Sequence, residues 1–163
     1  MKPSKARGMV LALSLLLVSC RNPVTPSVPL RDLRSAPLAV EINGRSFTLE
    51  TFIWRDFMPG GQGPWGSLLM AVVYLTAVDG QSFPADIDAD RIWVLRGDEV
   101  WEEVLSDGAR PRDSVHIYQL ERRADGGPRW DVGAEVDVVV RVTVAGGAPR
   151  LLRATKQIIS RTD

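Results

Sequence analysis

Between Glu135 and Val144 the chain places Val136, Val138, Val140, Val142 and Val144 at every second position, with Glu135, Asp137, Arg141 and Thr143 between them. An extended backbone turns successive side chains to opposite faces, so this spacing makes a strand with one buried and one wet face; a helix would scatter the valines around its circumference. Val139 is the one apolar residue on the polar side. Such a strand needs partners for its edges and a second layer for its apolar face, so the rest of the chain must supply more strands.

It does so by the same period. Leu38, Val40 and Ile42 alternate with Ala39 and Glu41, Asn43-Gly44 is the pair best suited to a two-residue hairpin turn, and Phe47 and Leu49 alternate on the return. Leu68 to Val78 is apolar on both faces. A buried helix shares that signature, but Val72-Val73-Tyr74 followed by the Asp79-Gly80 turn favours a strand covered on both sides. Ile92–Leu95 and Val100–Leu105 flank Gly97-Asp98 as a second hairpin. Val115 to Leu120 supplies a further strand, and Leu152, Ala154 and Ile158 return from the Gly146-Gly147 turn. About eight strands at turn spacings of roughly 8 to 15 residues predict an all-β fold, an antiparallel β-sandwich over residues 38–163. In strand number and spacing, Leu38 to Thr162 resembles the immunoglobulin-like sandwiches of bacterial surface proteins. The resemblance implies a buried indole in the core, for which Trp93 is the choice, although the paired cysteines of antibody domains are missing because Cys20 is the only cysteine.

The first nineteen residues follow a different rule. Lys2, Lys5 and Arg7 form a positive start, and Met9 to Val18 is an uncharged apolar run, too short for the roughly 20 residues that span a bilayer. This is the pattern of an export signal. At its end Leu17-Val18-Ser19-Cys20 resembles the lipobox of bacterial lipoproteins, which implies cleavage before Cys20, diacylglycerol on its thiol and attachment to a membrane outside the cytoplasm. Arg21 follows, where an Asp would resemble the inner-membrane retention signal of enteric bacteria, so the resemblance points to the outer membrane where one exists. From residue 20 to residue 37 the chain carries Pro23, Pro26, Pro29 and Pro37 among polar residues without a hydrophobic period, which predicts an extended tether.

Loss of the three N-terminal cations leaves 17 basic against 20 acidic residues, a formal charge of −3. That balance gives no reason to expect nucleic acid as a partner. One histidine, His116, and no thiol after lipidation starve the usual nucleophile pairs and zinc sites of ligands. No Gly-x-Ser-x-Gly elbow and no phosphate-binding glycine loop occurs. Paired carboxylates need no fixed spacing, so an envelope hydrolase built on Asp86, Asp88, Glu102 or Glu103 stays open. Asp86, Asp88 and Asp90 alternate and would share one face of an extended segment, where calcium would accept such oxygens; a solvated acidic loop is the simpler reading. Arg96-Gly97-Asp98 matches an adhesion tripeptide and equally a plain turn.

Phe52, Trp54, Phe57 and Trp65 are interleaved with Pro59, Gly60, Gly61, Gly63 and Pro64. Two arrangements are open: a loop offering aromatic contact area to a protein or glycan, or rings folded back to plug the end of the sandwich. The expectation is therefore a membrane-anchored, non-catalytic binding or scaffolding module of the cell envelope with no cofactor beyond its lipid. A carboxylate hydrolase, or an inhibitor or chaperone of an exported protein, stands as the alternative.

Overall fold

The computed structural model describes residues 26–58, 65–107 and 116–163. They form one short helix, α1 (Leu30–Arg34), and ten strands: β1 (Ala39–Ile42), β2 (Arg45–Asp56), β3 (Leu69–Ala77), β4 (Ile87–Arg96), β5 (Glu99–Val104), β6 (Ser106–Asp107), β7 (Gln119–Gly127), β8 (Glu135–Val144), β9 (Arg150–Ile158) and β10 (Ser160–Thr162). One sheet runs β1-β2-β3-β7-β6, with β10 joining β2 in parallel beyond the end of β1; the other runs β5-β4-β8-β9. All other pairings are antiparallel, and the fold is an all-β sandwich.

The hairpin at Asn43-Gly44 forms as the residues dictate. Both have positive φ, 52° and 75°, the backbone of the tight turn that matches strand twist. β3 lies between β2 and β7, at the centre of its sheet; its inner face fills the core, but its outer face, with Met70, Val72 and Tyr74, is not covered by a second layer among the described residues, contrary to the expectation of a strand covered on both sides. Val136, Val138, Val140 and Val142 of β8 enter the core between the sheets with Phe47, Ile53, Leu75, Ile92, Leu120 and Leu152.

Two bulges shift the alternation. Register slips between Ala89 and Arg91 of β4, so that Ile87 and Ala89 face the core before it and Ile92 and Val94 after it. In β9, Lys156 has φ 56° opposite the slip between Val136 and Val138. Ile158, expected inside with Leu152 and Ala154, is therefore turned out, and Ile159 takes the buried place as the chain crosses to β10. The expected strand at Val115–Leu120 begins later. His116 to Tyr118 make a turn, and β7 starts at Gln119, its core face carrying Arg122 between Leu120 and Ala124 and so hiding the period. Val115 lies outside the described residues.

The tether reading of residues 20–37 needs correction over its described part. Pro29 caps the start of α1, its carbonyl accepting from the N–H groups of Asp32 and Leu33, and Leu33 of that turn is 0% exposed. Leu33 and Ala36 pack on Trp93, Leu95 and Val139, on the side of the four-stranded sheet facing away from the core. Trp93 is thus buried, but outside the inter-sheet core assigned to it, and Val139 breaks the polar pattern of β8 because it too lies under this cap. The strap is fastened at both ends. Ser27 donates its N–H and hydroxyl to Glu102 at 2.8 and 2.6 Å, and Arg34 donates to Gly97 O and Asp98 at 2.8 and 2.7 Å. Arg153 donates its backbone N–H to Pro37 O at 2.8 Å and its guanidinium to Arg34 O.

Candidate functional site

The strap covers one outer face of the sandwich; the opposite outer face has no such cover among the described residues. Phe52 and Trp54 belong to β2 rather than to a loop, and they alternate with Ile53 and Arg55, which face inward. Cross-strand register sets their neighbours. Trp54 lies beside Ser160 and Met70, Phe52 beside Val72 and then Arg123, and Glu50 beside Tyr74 and then Glu121. The result is an apolar patch of Phe52, Trp54, Met70, Val72 and Tyr74 across two strands, β2 and β3. The rings of Phe52 and Trp54 stack at 5.1 Å and 25°, and Phe52 remains 45% exposed. Glu50, Glu121 and Arg123 rim the patch, with Arg123 donating to Glu121 at 2.8 Å and Thr76 to Glu50 at 3.2 Å. A stacked aromatic pair on a sheet face with hydrogen-bonding groups around it can seat a partner's apolar groups while its rim fixes their orientation.

Phe57 and Trp65 take separate places. The Phe57 ring lies between the guanidinium groups of Arg55 and Arg161, 5.1 and 4.4 Å from its centroid. Arg55 is 6% exposed, and its donors go to backbone carbonyls: Ser67 O at 2.9 Å, Trp130 O at 3.2 Å and Trp65 O. Burial pushes its guanidinium down from the usual arginine range, with Arg129 adding to the effect and Asp131 opposing it. Gly66, at φ 66°, lets this turn close on Phe57, whose ring would stand 2.7 Å from any Cβ there. Trp65, anchored through its carbonyl, leaves its side chain 75% exposed. The four aromatics thus divide into a stacked pair on a strand, Phe52 exposed and Trp54 half-buried, one clamped ring and one free indole. Residues 59–64 lie outside the described residues, as do Leu17, Val18, Ser19 and Cys20. Trp101 and Trp130 are buried in the core.

The three aspartates do not line up as the sequence suggests. Asp88 accepts two bonds at 2.8 Å from Arg122, a buried guanidinium of the other sheet, so the pair ties the two layers. Asp90, at the bulge, accepts from Arg141 at 2.7 and 2.6 Å, and Asp86 lies in the turn before β4. Among the described residues no group of three His, Cys, Asp or Glu side chains could hold a metal ion. Glu102 and Glu103 are neighbours on β5, so their side chains leave opposite faces, and Glu102 is occupied by Ser27 and Arg91. An open pocket of about 210 Å³ lies among Arg34, Leu95, Gly97, Glu135, Val136 and Asp137. It is smaller than the roughly 300–1,000 Å³ typical of ligand sites. Of the adhesion tripeptide, Arg96 is bonded to Glu99 and Asp98 to Arg34. His116 sits in an exposed turn with its ring edge-on to Tyr118.

Two carboxylates report on how the fold is fastened. Burial alone would push Glu102 up, but the hydrogen bonds from Ser27 and Arg91 outweigh it and hold the group below the ordinary 4.5. Asp79, gripped by two bonds from Arg45 at 2.7 and 2.8 Å, is likewise held below 3.8. Both folded values lie under the unfolded ones, so the stability these groups contribute is complete above pH 4.5 and is lost as the pH falls through the folded values. Thermal melts should therefore give a flat Tm from neutrality to pH 5 and a decline below pH 4.5, shallower in Glu102→Gln.

No protein-family model, curated protein or solved structure matches the chain. No described helix is long and apolar enough to cross a membrane.

Proposed function

We propose that this chain is an exported, lipid-anchored binding module of the cell envelope, and that its partner, a protein or a glycan, seats on the outer face of β2, β3 and β7. The observation that carries the reading is the contrast between the two outer faces. The chain spends eleven residues, 26 to 36, on covering Trp93, Leu95 and Val139, yet leaves the stacked pair of exposed Phe52 and half-buried Trp54 without a cover among the described residues. Exposed clustered aromatics are uncommon on soluble surfaces without a partner. The positive start, apolar run and Leu17-Val18-Ser19-Cys20 box support the anchor and the location. A non-catalytic role is favoured over the carboxylate hydrolase because Glu102, Asp88 and Asp90 are each engaged by an arginine.

Phe52→Ser with Trp54→Ser tests the surface. Because these side chains pack outside the core, the double variant should keep its unfolding free energy to within about 1 kcal/mol. It should lose photo-crosslinking from position 70 or 74 to envelope components, which the parent chain retains. Equal crosslinking by both would end the assignment of this face. Mass spectrometry of the N-terminal peptide checks the anchor separately.

A further inference from the structure

We infer that the α1 face of the sandwich is the side that meets the lipid surface, and that the Phe52–Trp54 face points away from it. The inference rests on the anchor proposed above and adds a direction to it.

The reach of the lead from Cys20 sets the direction. Seven peptide units separate Cys20 from Ser27, and a fully extended chain covers at most about 3.3–3.6 Å per residue, so this segment spans no more than about 23–25 Å. Where it ends is fixed: Ser27 is bonded through its backbone and its hydroxyl to Glu102. Glu102 shares the outer side of the four-stranded sheet with its cross-strand neighbour Trp93, whereas the adjacent Trp101 enters the core. The chain therefore leaves toward Cys20 from the capped face, near the β5 edge.

Turning the Phe52–Trp54 face down would place Ser27 above two sheets about 10 Å apart, with a layer of side chains on either side, roughly 20–25 Å from the headgroups. That takes nearly the whole contour of the segment and holds it fully stretched. The opposite pose, with α1 and the Gly97-Asp98 turn lowest, needs no stretching. Charge plays a small part. Arg31 is 85% exposed on α1, but Asp32 stands 3.2 Å from it, so the short lead and not a cationic patch sets the orientation. A consequence follows for the partner surface. The aromatic face stays open to molecules arriving from the aqueous side, and it is not a lipid-insertion patch.

Protein purified from producing-cell membranes and reconstituted in phosphatidylcholine nanodiscs tests this, with gadolinium-chelate lipid as the relaxation probe. Amides of residues 30–34 and 97–99 should be broadened several-fold more than those of Phe52, Trp54 and Tyr74. Stronger or equal broadening at Phe52 and Trp54 would overturn the orientation while leaving the anchor intact. An N-terminal peptide mass without diacylglycerol would overturn the anchor, and the orientation with it. Inserting about twelve Gly/Ser residues after Arg21 lengthens the lead without touching the folded body and should make the two faces relax alike. An unchanged contrast would mean that something other than reach holds the domain.

Discussion

Removal of residues 26–36 should destabilise the domain by about 4–6 kcal/mol, the largest effect expected of any change outside the core. Leu33 is wholly buried, and truncation of a buried leucine alone costs about 3–5 kcal/mol. The deletion also bares part of Trp93, Leu95 and Val139 to water and strips Glu102 and Asp98 of the donors from Ser27 and Arg34. Chemical denaturation checks this: the midpoint should fall with little change in slope, and Leu33→Ala should account for most of the loss. A truncated chain as stable as the parent would restore the tether reading in full.

Arg55→Met should cost about 3–4 kcal/mol, lowering Tm by about 10 °C. Methionine roughly matches the length of the aliphatic stem but cannot donate, so the carbonyls of Ser67, Trp130 and Trp65 lose one common partner and Phe57 loses the cation on one side of its ring. Arg55→Lys should recover less than half. An ammonium is a point donor, and the planar guanidinium fork reaches three carbonyls at once. Differential scanning calorimetry of the three proteins reads the difference directly. Recovery of the full Tm by lysine would show that charge alone matters there, and not the fork.

Much of the sandwich was legible in the sequence, for identifiable reasons. The Val136–Val144 alternation and the Asn43-Gly44 turn each have one low-energy reading, the Val72-Val73-Tyr74 run before Asp79-Gly80 tips Leu68–Val78 from helix to strand, and β8, β1–β2 and β3 follow them. The rest was hidden for separate physical reasons. Asp90 and Lys156 sit at bulges, where one extra residue reverses which parity faces the core, and a pattern of period two cannot anticipate a reversal. β7 starts later than the sequence predicts because Arg122, a core-facing arginine paired with Asp88, breaks the apolar period that would mark it. The strap escaped notice because a five-residue helix has too few positions to display a period, and prolines around it favour extended chain. Two clues pointed to it: Val139 among polar neighbours on β8, and Leu30 and Leu33 three apart after Pro29.

At the candidate surface the residue types were legible and their placement was not. Phe52, Trp54, Phe57 and Trp65 were grouped by proximity in sequence, but β2 extends to Asp56 and so separates the first two from the rest. Their true companions, Met70, Val72 and Tyr74, come from β3 and become visible only through the register. Sequence distance gave no hint of them.

The claim on which the rest depends is that residues 27 to 37 are sealed onto one side of the sandwich, leaving the other for a partner. Amide hydrogen exchange on the full chain tests it at a single proton, the Arg153 N–H, whose acceptor is Pro37 O. Slow exchange at Arg153, together with protection of the Ser35 and Ala36 amides, is the expected result. Exchange of all three at the rate of an unstructured chain, while Val138 and Val140 stay protected, would contradict it.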